Sequence, residues 1–66
     1  MKIIVNGESK EYEKSLTIQE LIDSLKINGK VMATAINMEV VKKDKWSTHQ
    51  IKDGDKVEFL QFVGGG

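Results

Sequence analysis

The chain has 66 residues, enough for one small domain, and its ten lysines balance ten acidic residues to give a formal net charge of zero. A neutral chain lacks the basic excess of a nucleic-acid binder, and the absence of cysteine excludes disulfides, zinc–thiolate sites and a cysteine nucleophile. The apolar run at residues 3–5 is too short for a signal peptide or a membrane span. We therefore expect a single cytoplasmic domain over residues 1–66, a monomer when free and without a membrane partner.

Residues 2–14 are predicted to form a β-hairpin. Residues 2–5 are mostly apolar and β-branched, and Asn6-Gly7 favours a two-residue turn because both residue types tolerate positive φ. The returning segment 9–14 is polar except for Tyr12. We therefore expect the second strand at an edge of the sheet or with one face in water.

Residues 17–26 are predicted to form the single helix. Thr17 is a suitable N-cap, and Glu20 three residues later completes a capping box. Asn28-Gly29 is expected to end the helix. Four apolar residues recur at the spacing of one helix face: Ile18, Leu21, Ile22 and Leu25.

The segment after the helix predicts further strands. The continuous apolar run at 31–37 is typical of a central, well-buried strand, and Val40-Val41 predicts a short strand beside it. Trp46 lies in the charged connection 42–50, where we expect it to pack on the edge of the core. The last strand is predicted at 57–63.

A tight turn at Asp53-Gly54-Asp55 leads into that last strand. The element order ββαβ(β)β, with one helix across a mixed sheet of four or five strands, predicts an α+β roll. The spacing of the aspartates matches no calcium loop, and His49 has no companion ligand, so no metal site is expected.

The chain ends in Gly64-Gly65-Gly66, and this tail has two interpretations. One is a frayed end, because terminal glycines have no side chains to pack and lose much entropy on ordering. The other is a slender tail that enters a narrow slot in a partner and delivers its carboxylate to a reacting centre. Three extended residues reach about 10 Å, which is long enough for that task.

Over its whole length the chain resembles the ThiS group of sulfur carriers in thiamine biosynthesis. A terminal Gly-Gly alone is weak evidence, but in a chain this short its combination with an Asp-Gly-Asp turn about ten residues upstream is specific. The other features that carry the resemblance are the N-terminal hairpin, Leu16-Thr17-Ile18 at the helix start, Ala35-Ile36-Asn37, Val40-Val41 and Trp46.

The resemblance implies a ubiquitin-like β-grasp fold and a carrier rather than an enzyme. In that family a ThiF-like enzyme adenylates the terminal carboxylate with ATP, here the carboxylate of Gly66. A persulfide donor converts the adenylate to a thiocarboxylate, and a ThiG-like thiazole synthase takes the sulfur. No permanently bound cofactor is implied, only the covalent thiocarboxylate at the end of the Gly64, Gly65 and Gly66 tail.

Strand alternation indicates a docking patch for these partners. Val57 and Phe59 are predicted on the core face of the last strand, which places Leu60 and Phe62 on the other face. Ile4 points outward from the first strand by the same rule. We expect Ile4, Leu60 and Phe62 to form one apolar patch on the open face of the sheet; the alternative is a scatter of surface apolar residues.

Three other functions stay open at the level of sequence. The small subunit of molybdopterin synthase resembles this fold and also ends in Gly-Gly, although the pattern from Ala35 to Trp46 favours the thiamine branch. A ligand- or RNA-binding β-grasp module with an incidental tail is disfavoured by the neutral charge and the few aromatic residues. Conjugation to lysines, as with ubiquitin, is chemically permitted by the Gly-Gly terminus.

Overall fold

The computed structural model describes residues 1–62. Its elements are β1 (Lys2–Val5), β2 (Glu8–Glu11), α1 (Ile18–Leu25), β3 (Val31–Ile36), β4 (Glu39–Val41), a short 3-10 helix (Lys43–Lys45) and β5 (Lys56–Gln61). The five strands form one sheet in the order β2-β1-β5-β3-β4. β1 pairs with β5 in parallel, and the other neighbouring strands pair antiparallel. The predicted α+β architecture is thus confirmed. Within residues 1–62, no helix has the length and apolar character needed to span a membrane.

The N-terminal hairpin forms as predicted. Asn6 and Gly7 adopt φ values of 47° and 85°, the left-handed pair that a two-residue turn requires. β2 lies at an edge of the sheet, also as predicted. It ends three residues before the predicted boundary, because its pairing with β1 ends at Lys2 and Glu11.

The start of α1 confirms the predicted capping box. The hydroxyl of Thr17 accepts a hydrogen bond from the backbone N–H of Glu20 at 3.1 Å. The Glu20 carboxylate in turn accepts from the backbone N–H of Thr17 at 2.8 Å. Two of the N–H groups that have no partner within the helix are therefore satisfied by residues only three positions apart.

The helix ends at Leu25, one residue before the predicted boundary at 26, but the residue that ends it is Lys26 and not the expected Asn28-Gly29. Lys26 adopts the left-handed conformation, with φ 58° and ψ 39°, and its N–H donates to the Asp23 carbonyl. The N–H of Ile27 donates to the carbonyl of Ile22 at 3.2 Å, which completes a Schellman motif. Ile27 packs against the core, so the helix ends where the chain must turn to bury that side chain.

Replacing Lys26 with glycine is expected to raise the free energy of unfolding by about 1 kcal/mol, because glycine adopts positive φ without the steric cost of a Cβ. Urea unfolding followed by far-UV circular dichroism measures the change. Lys14→Gly is the matched control, since Lys14 is an exposed lysine outside the helix and without positive φ. Equal unfolding midpoints for Lys26→Gly and the wild type would contradict the expectation.

β3 lies inside the sheet between β5 and β4, but it is less buried than its apolar sequence predicts. A β-bulge interrupts its pairing with β5: Val31 pairs with Gln61 and Ala33 with Leu60, so Met32 is the extra residue. The bulge shifts the alternation of side chains. Val31 is buried, whereas Met32 is 53% exposed.

The core lies between α1 and the sheet, and it includes Trp46, which is only 4% exposed. Trp46 was expected at the edge of the core, but it is buried within the main cluster. Its indole N–H donates to the carbonyl of Val41 at 2.9 Å. Val57 and Phe59 face inward as predicted. The buried apolar residues are Ile3, Val5, Ile18, Leu21, Ile22, Val31, Ile36, Trp46, Ile51, Val57 and Phe59.

Candidate functional site

The candidate site is the end of β5, the strand that leads to the C-terminal glycines. β5 ends at Gln61, two residues before the predicted boundary; Val63, like Gly64, Gly65 and Gly66, lies outside the described residues. The backbone N–H of Phe62 donates to the carbonyl of Lys30 at 2.9 Å. Phe62 is thus tied to the segment that precedes β3.

β5 is held on both sides along most of its length. On one side it pairs with β3 from Val57 to Gln61. On the other side the β1 ladder ends at Val5, and the Asn6 side chain continues it by accepting from the N–H of Phe59 at 2.8 Å. A strand bonded to neighbours on both sides gives the segment that follows it a fixed starting point.

The reach of the tail follows from its length. Residues 63–66 follow Phe62, and four extended residues span at most about 14 Å. A reacting centre that receives the carboxylate of Gly66 must therefore lie within that distance of the Phe62 backbone. A partner that received this carboxylate would therefore have to approach the surface around Phe62.

The three residues predicted to form a docking patch are all exposed: Ile4 at 40%, Leu60 at 61% and Phe62 at 61%. They line three different depressions rather than one groove. Ile4 is level with Lys56 in the parallel pairing of β1 and β5, so about 13 Å of strand separates it from Leu60. Two charged side chains are exposed along this stretch of β5: Lys56 at the level of Ile4 and Glu58 between the two levels.

Leu60 and Phe62 lie in different surroundings. Leu60 borders a depression of the sheet together with Ala33, Ala35 and Val40. Phe62 instead borders a groove that also includes residues of α1 and the bulged residue Met32. Met32 is not recognisable as a surface residue from the sequence, because its place in an apolar run predicts a buried side chain and no local signal marks the bulge.

The aspartates of the turn before β5 form structural hydrogen bonds. The Asp53 carboxylate accepts from the N–H of Lys2 at 2.7 Å. Asp55 accepts from the N–H of Lys52 at 2.8 Å and from the Asn37 side chain at 2.9 Å. The Asp-Gly-Asp sequence is thus accounted for by these contacts within the turn. Within residues 1–62, no cluster of His, Asp or Glu is suited to a metal ion.

A mixed sheet crossed by one helix, with an interior strand leading to a glycine tail, is the architecture of a β-grasp protein and is compatible with a carrier. A protein-family model described as the ThiS family matches residues 3–66. The chain belongs to the ThiS family, the sulfur carriers of thiamine biosynthesis. The predicted family is confirmed, and with it the thiamine branch rather than the molybdopterin branch.

Individual relatives agree with this assignment. The sulfur carrier protein ThiS of Escherichia coli is 30% identical over 66 residues, which cover all of both chains. The crystal structure of a thiamine biosynthesis protein (ThiS) from Geobacter metallireducens superposes with a TM-score of 0.82 at 37% identity and full coverage of both chains. The β-grasp fold expected from the resemblance is thereby confirmed.

One relative is a much longer protein. A thiazole synthase of Paramagnetospirillum magneticum is 35% identical over 66 residues, which cover all of this chain and 20% of that protein. The chain therefore spans about a fifth of the length of that relative. A segment similar to this carrier and a thiazole synthase thus belong to one polypeptide in that organism.

Proposed function

We propose that the working group of this carrier is the terminal carboxylate of Gly66, with Gly64 and Gly65 as the slender segment that brings it to its partners. The supporting observation is the position of β5, an interior strand whose last described residues lead directly to the glycines. A carboxylate is a poor electrophile. In adenylation by a ThiF-like enzyme, one carboxylate oxygen attacks the α-phosphorus of ATP and pyrophosphate leaves, so that this oxygen becomes part of AMP, a good leaving group.

The terminal sulfur of a persulfide donor then displaces AMP from the adenylate to form an acyl disulfide. A thiol reductant cleaves the S–S bond of that intermediate and leaves a thiocarboxylate on Gly66. Its sulfur is a soft nucleophile, which a thiazole synthase takes up for thiazole formation. The thiazole synthase relative that contains a segment similar to this chain supports that choice of partner. The chain itself is a carrier: its partners catalyse the steps, and the covalent thiocarboxylate takes the place of a bound cofactor. Because activation uses ATP, we place the cycle in the cytoplasm.

Ile4, Leu60 and Phe62 are proposed to contact these partners. Burial of such exposed apolar side chains contributes to association because it removes them from water. Their distances from the tail differ, since Phe62 adjoins it and Ile4 lies at the level of Lys56. Phe62 and Leu60 are therefore the residues nearest to a protein that receives the tail, and Ile4 contacts it only if the interface is larger.

The proposed function is tested by intact mass. The chain is incubated with a ThiF-like enzyme, Mg-ATP, a persulfide source and a thiol reductant. We expect a mass gain equal to the replacement of one oxygen by sulfur. A variant lacking Gly66 should show no gain, because its terminal group lies one residue short of the reacting centre. Lys14→Ala, a change in an exposed loop, is the control that should load as the wild type does.

If the wild type gains no sulfur while the same enzyme loads another carrier, the proposal that the Gly66 carboxylate carries sulfur is wrong. The alternative of a binding module would then apply, because such a module requires no chemistry at its C-terminus. Far-UV circular dichroism of the variant lacking Gly66 shows whether its fold is intact.

A further inference from the structure

A groove of about 560 Å³ adjoins Phe62 on the side of the sheet where α1 packs. Its floor is apolar and buried, and is made by Ile22, Val31 and Trp46. Met32 and Phe62 border it as exposed apolar side chains, at 53% and 61% exposure. Apolar surface is thus concentrated at the point where the chain leaves the sheet.

The exposure of Met32 results from the β-bulge in β3. Thr34 and Ile36 face the core, so unbroken alternation would turn Met32 inward as well. The bulge at Met32 changes that phase, and the residue is exposed at the border of the groove rather than buried in the core. β-bulges often lie next to functional sites, where they redirect a side chain. An exposed methionine at this position does not stabilise the core.

The reach of the tail makes this groove part of an interface. Any active site that receives the carboxylate of Gly66 lies within about 14 Å of the Phe62 backbone. The surface around the entrance to that active site must then contact the residues beside Phe62. Met32 borders the same groove as Phe62. Met38 follows the opposite end of β3 and lies six residues from Met32, or about 20 Å along the strand direction.

We propose that this groove, with Met32 and Phe62 at its border, receives the rim of the tail entrance of thiazole synthase. The proposal rests on the proposed function of Gly66. Thiazole synthase is the proposed occupant because one relative is a thiazole synthase that includes a segment similar to this carrier. Two domains on one polypeptide stay close together, which favours contact between them. Lys43 is the charged residue among those that line the groove, so the rim carries an apolar side chain and a carboxylate that faces Lys43.

The test compares the two exposed methionines at opposite ends of β3. The full chain and its variants Met32→Glu and Met38→Glu are titrated with thiazole synthase from the same organism by isothermal titration calorimetry. Met32→Glu is expected to raise the Kd about tenfold or more, because it places a charge in a buried apolar contact. Met38→Glu makes the same chemical change at a residue that is 82% exposed and beyond the reach of the tail, and its Kd should stay within about twofold of the wild type.

A second variant guards against an effect on folding. Met32→Ala removes the side chain without adding charge and is expected to raise the Kd about threefold, with an unchanged thermal unfolding curve. A Kd for Met32→Glu equal to that of the wild type would overturn the proposal. Equal weakening by Met32→Glu and Met38→Glu would overturn it too, since the effect would then be general repulsion by negative charge.

The identity of the partner is tested in the same series. If Met32→Glu slows sulfur loading by the ThiF-like enzyme and leaves the Kd for thiazole synthase unchanged, the groove belongs to the adenylating partner and the proposal is wrong. Failure of the proposed function is a separate result, because the wild type then gains no sulfur mass at all. A wild type that gains sulfur, together with a Met32→Glu variant that binds normally, rejects the groove alone.

Discussion

Replacing Trp46 with alanine is expected to lower the free energy of unfolding by about 3–5 kcal/mol. The indole is only 4% exposed and belongs to the main core cluster, so truncation leaves a large cavity. The substitution also removes the hydrogen bond from the indole N–H to the carbonyl of Val41 at 2.9 Å. A single core in a chain of this size supplies about 3–5 kcal/mol of net stability, so the variant should be largely unfolded at 25 °C.

Urea unfolding followed by far-UV circular dichroism measures this loss; fluorescence is unsuitable, because Trp46 is the single tryptophan of the chain. Trp46→Phe is the control that separates packing from hydrogen bonding. It keeps an aromatic ring and loses the N–H donor, and it should cost about 1–3 kcal/mol, less than the alanine substitution. An unfolding midpoint for Trp46→Ala close to that of the wild type would show that the indole contributes little to the core.

The parts of the fold that sequence predicts correctly depend on neighbours a few positions apart. The capping box needs only Thr17 and Glu20, and the hairpin turn needs only residue types that accept positive φ, here Asn6 and Gly7. Such signals lie within one turn of helix or one turn of the hairpin. Nothing elsewhere in the chain has to be known in order to interpret them.

The errors have a different origin. Asn28-Gly29 has the residue types of a helix end, yet the helix ends at Lys26, because burial of Ile27 favours an earlier turn. The exposure of Met32 depends on how β3 is aligned with β5, a distant segment of the chain. Both outcomes follow from tertiary packing, which local propensity does not describe.

The candidate site, too, is only partly predictable from local sequence. Alternation correctly predicts that Ile4 and Leu60 are exposed, because it depends only on the period of a strand. It does not predict how far apart they are. That separation is set by the parallel register of β1 and β5, in which Ile4 is opposite Lys56, and a slide of one strand along the other changes it. The groove beside Phe62 needs the bulge, the helix and Trp46 together, so no single segment of sequence predicts it.

Asn6→Ala is expected to lower the free energy of unfolding by about 2–4 kcal/mol. Asn6 continues the hydrogen bonding to β5 beyond the last residue of β1. Its backbone N–H donates to the carbonyl of Val57 at 2.9 Å, and its side chain accepts from the N–H of Phe59 at 2.8 Å. Alanine removes that acceptor from a partly buried N–H, at a cost of about 1–3 kcal/mol. It also places a non-glycine, non-asparagine residue at φ 47°, which adds about 1 kcal/mol.

Two further substitutions at this position separate the two contributions. Asn6→Gly accepts positive φ freely and lacks the side-chain acceptor, so it should lose only the hydrogen-bond part, and hydrogen exchange at the Phe59 amide should become faster. Asn6→Asp keeps both an acceptor and a tolerance of positive φ, and it should stay near the wild type. If Asn6→Gly instead matches the wild type in both urea midpoint and exchange rate, the side chain of Asn6 does not hold β5, and the strand depends on β3 alone beyond Val57.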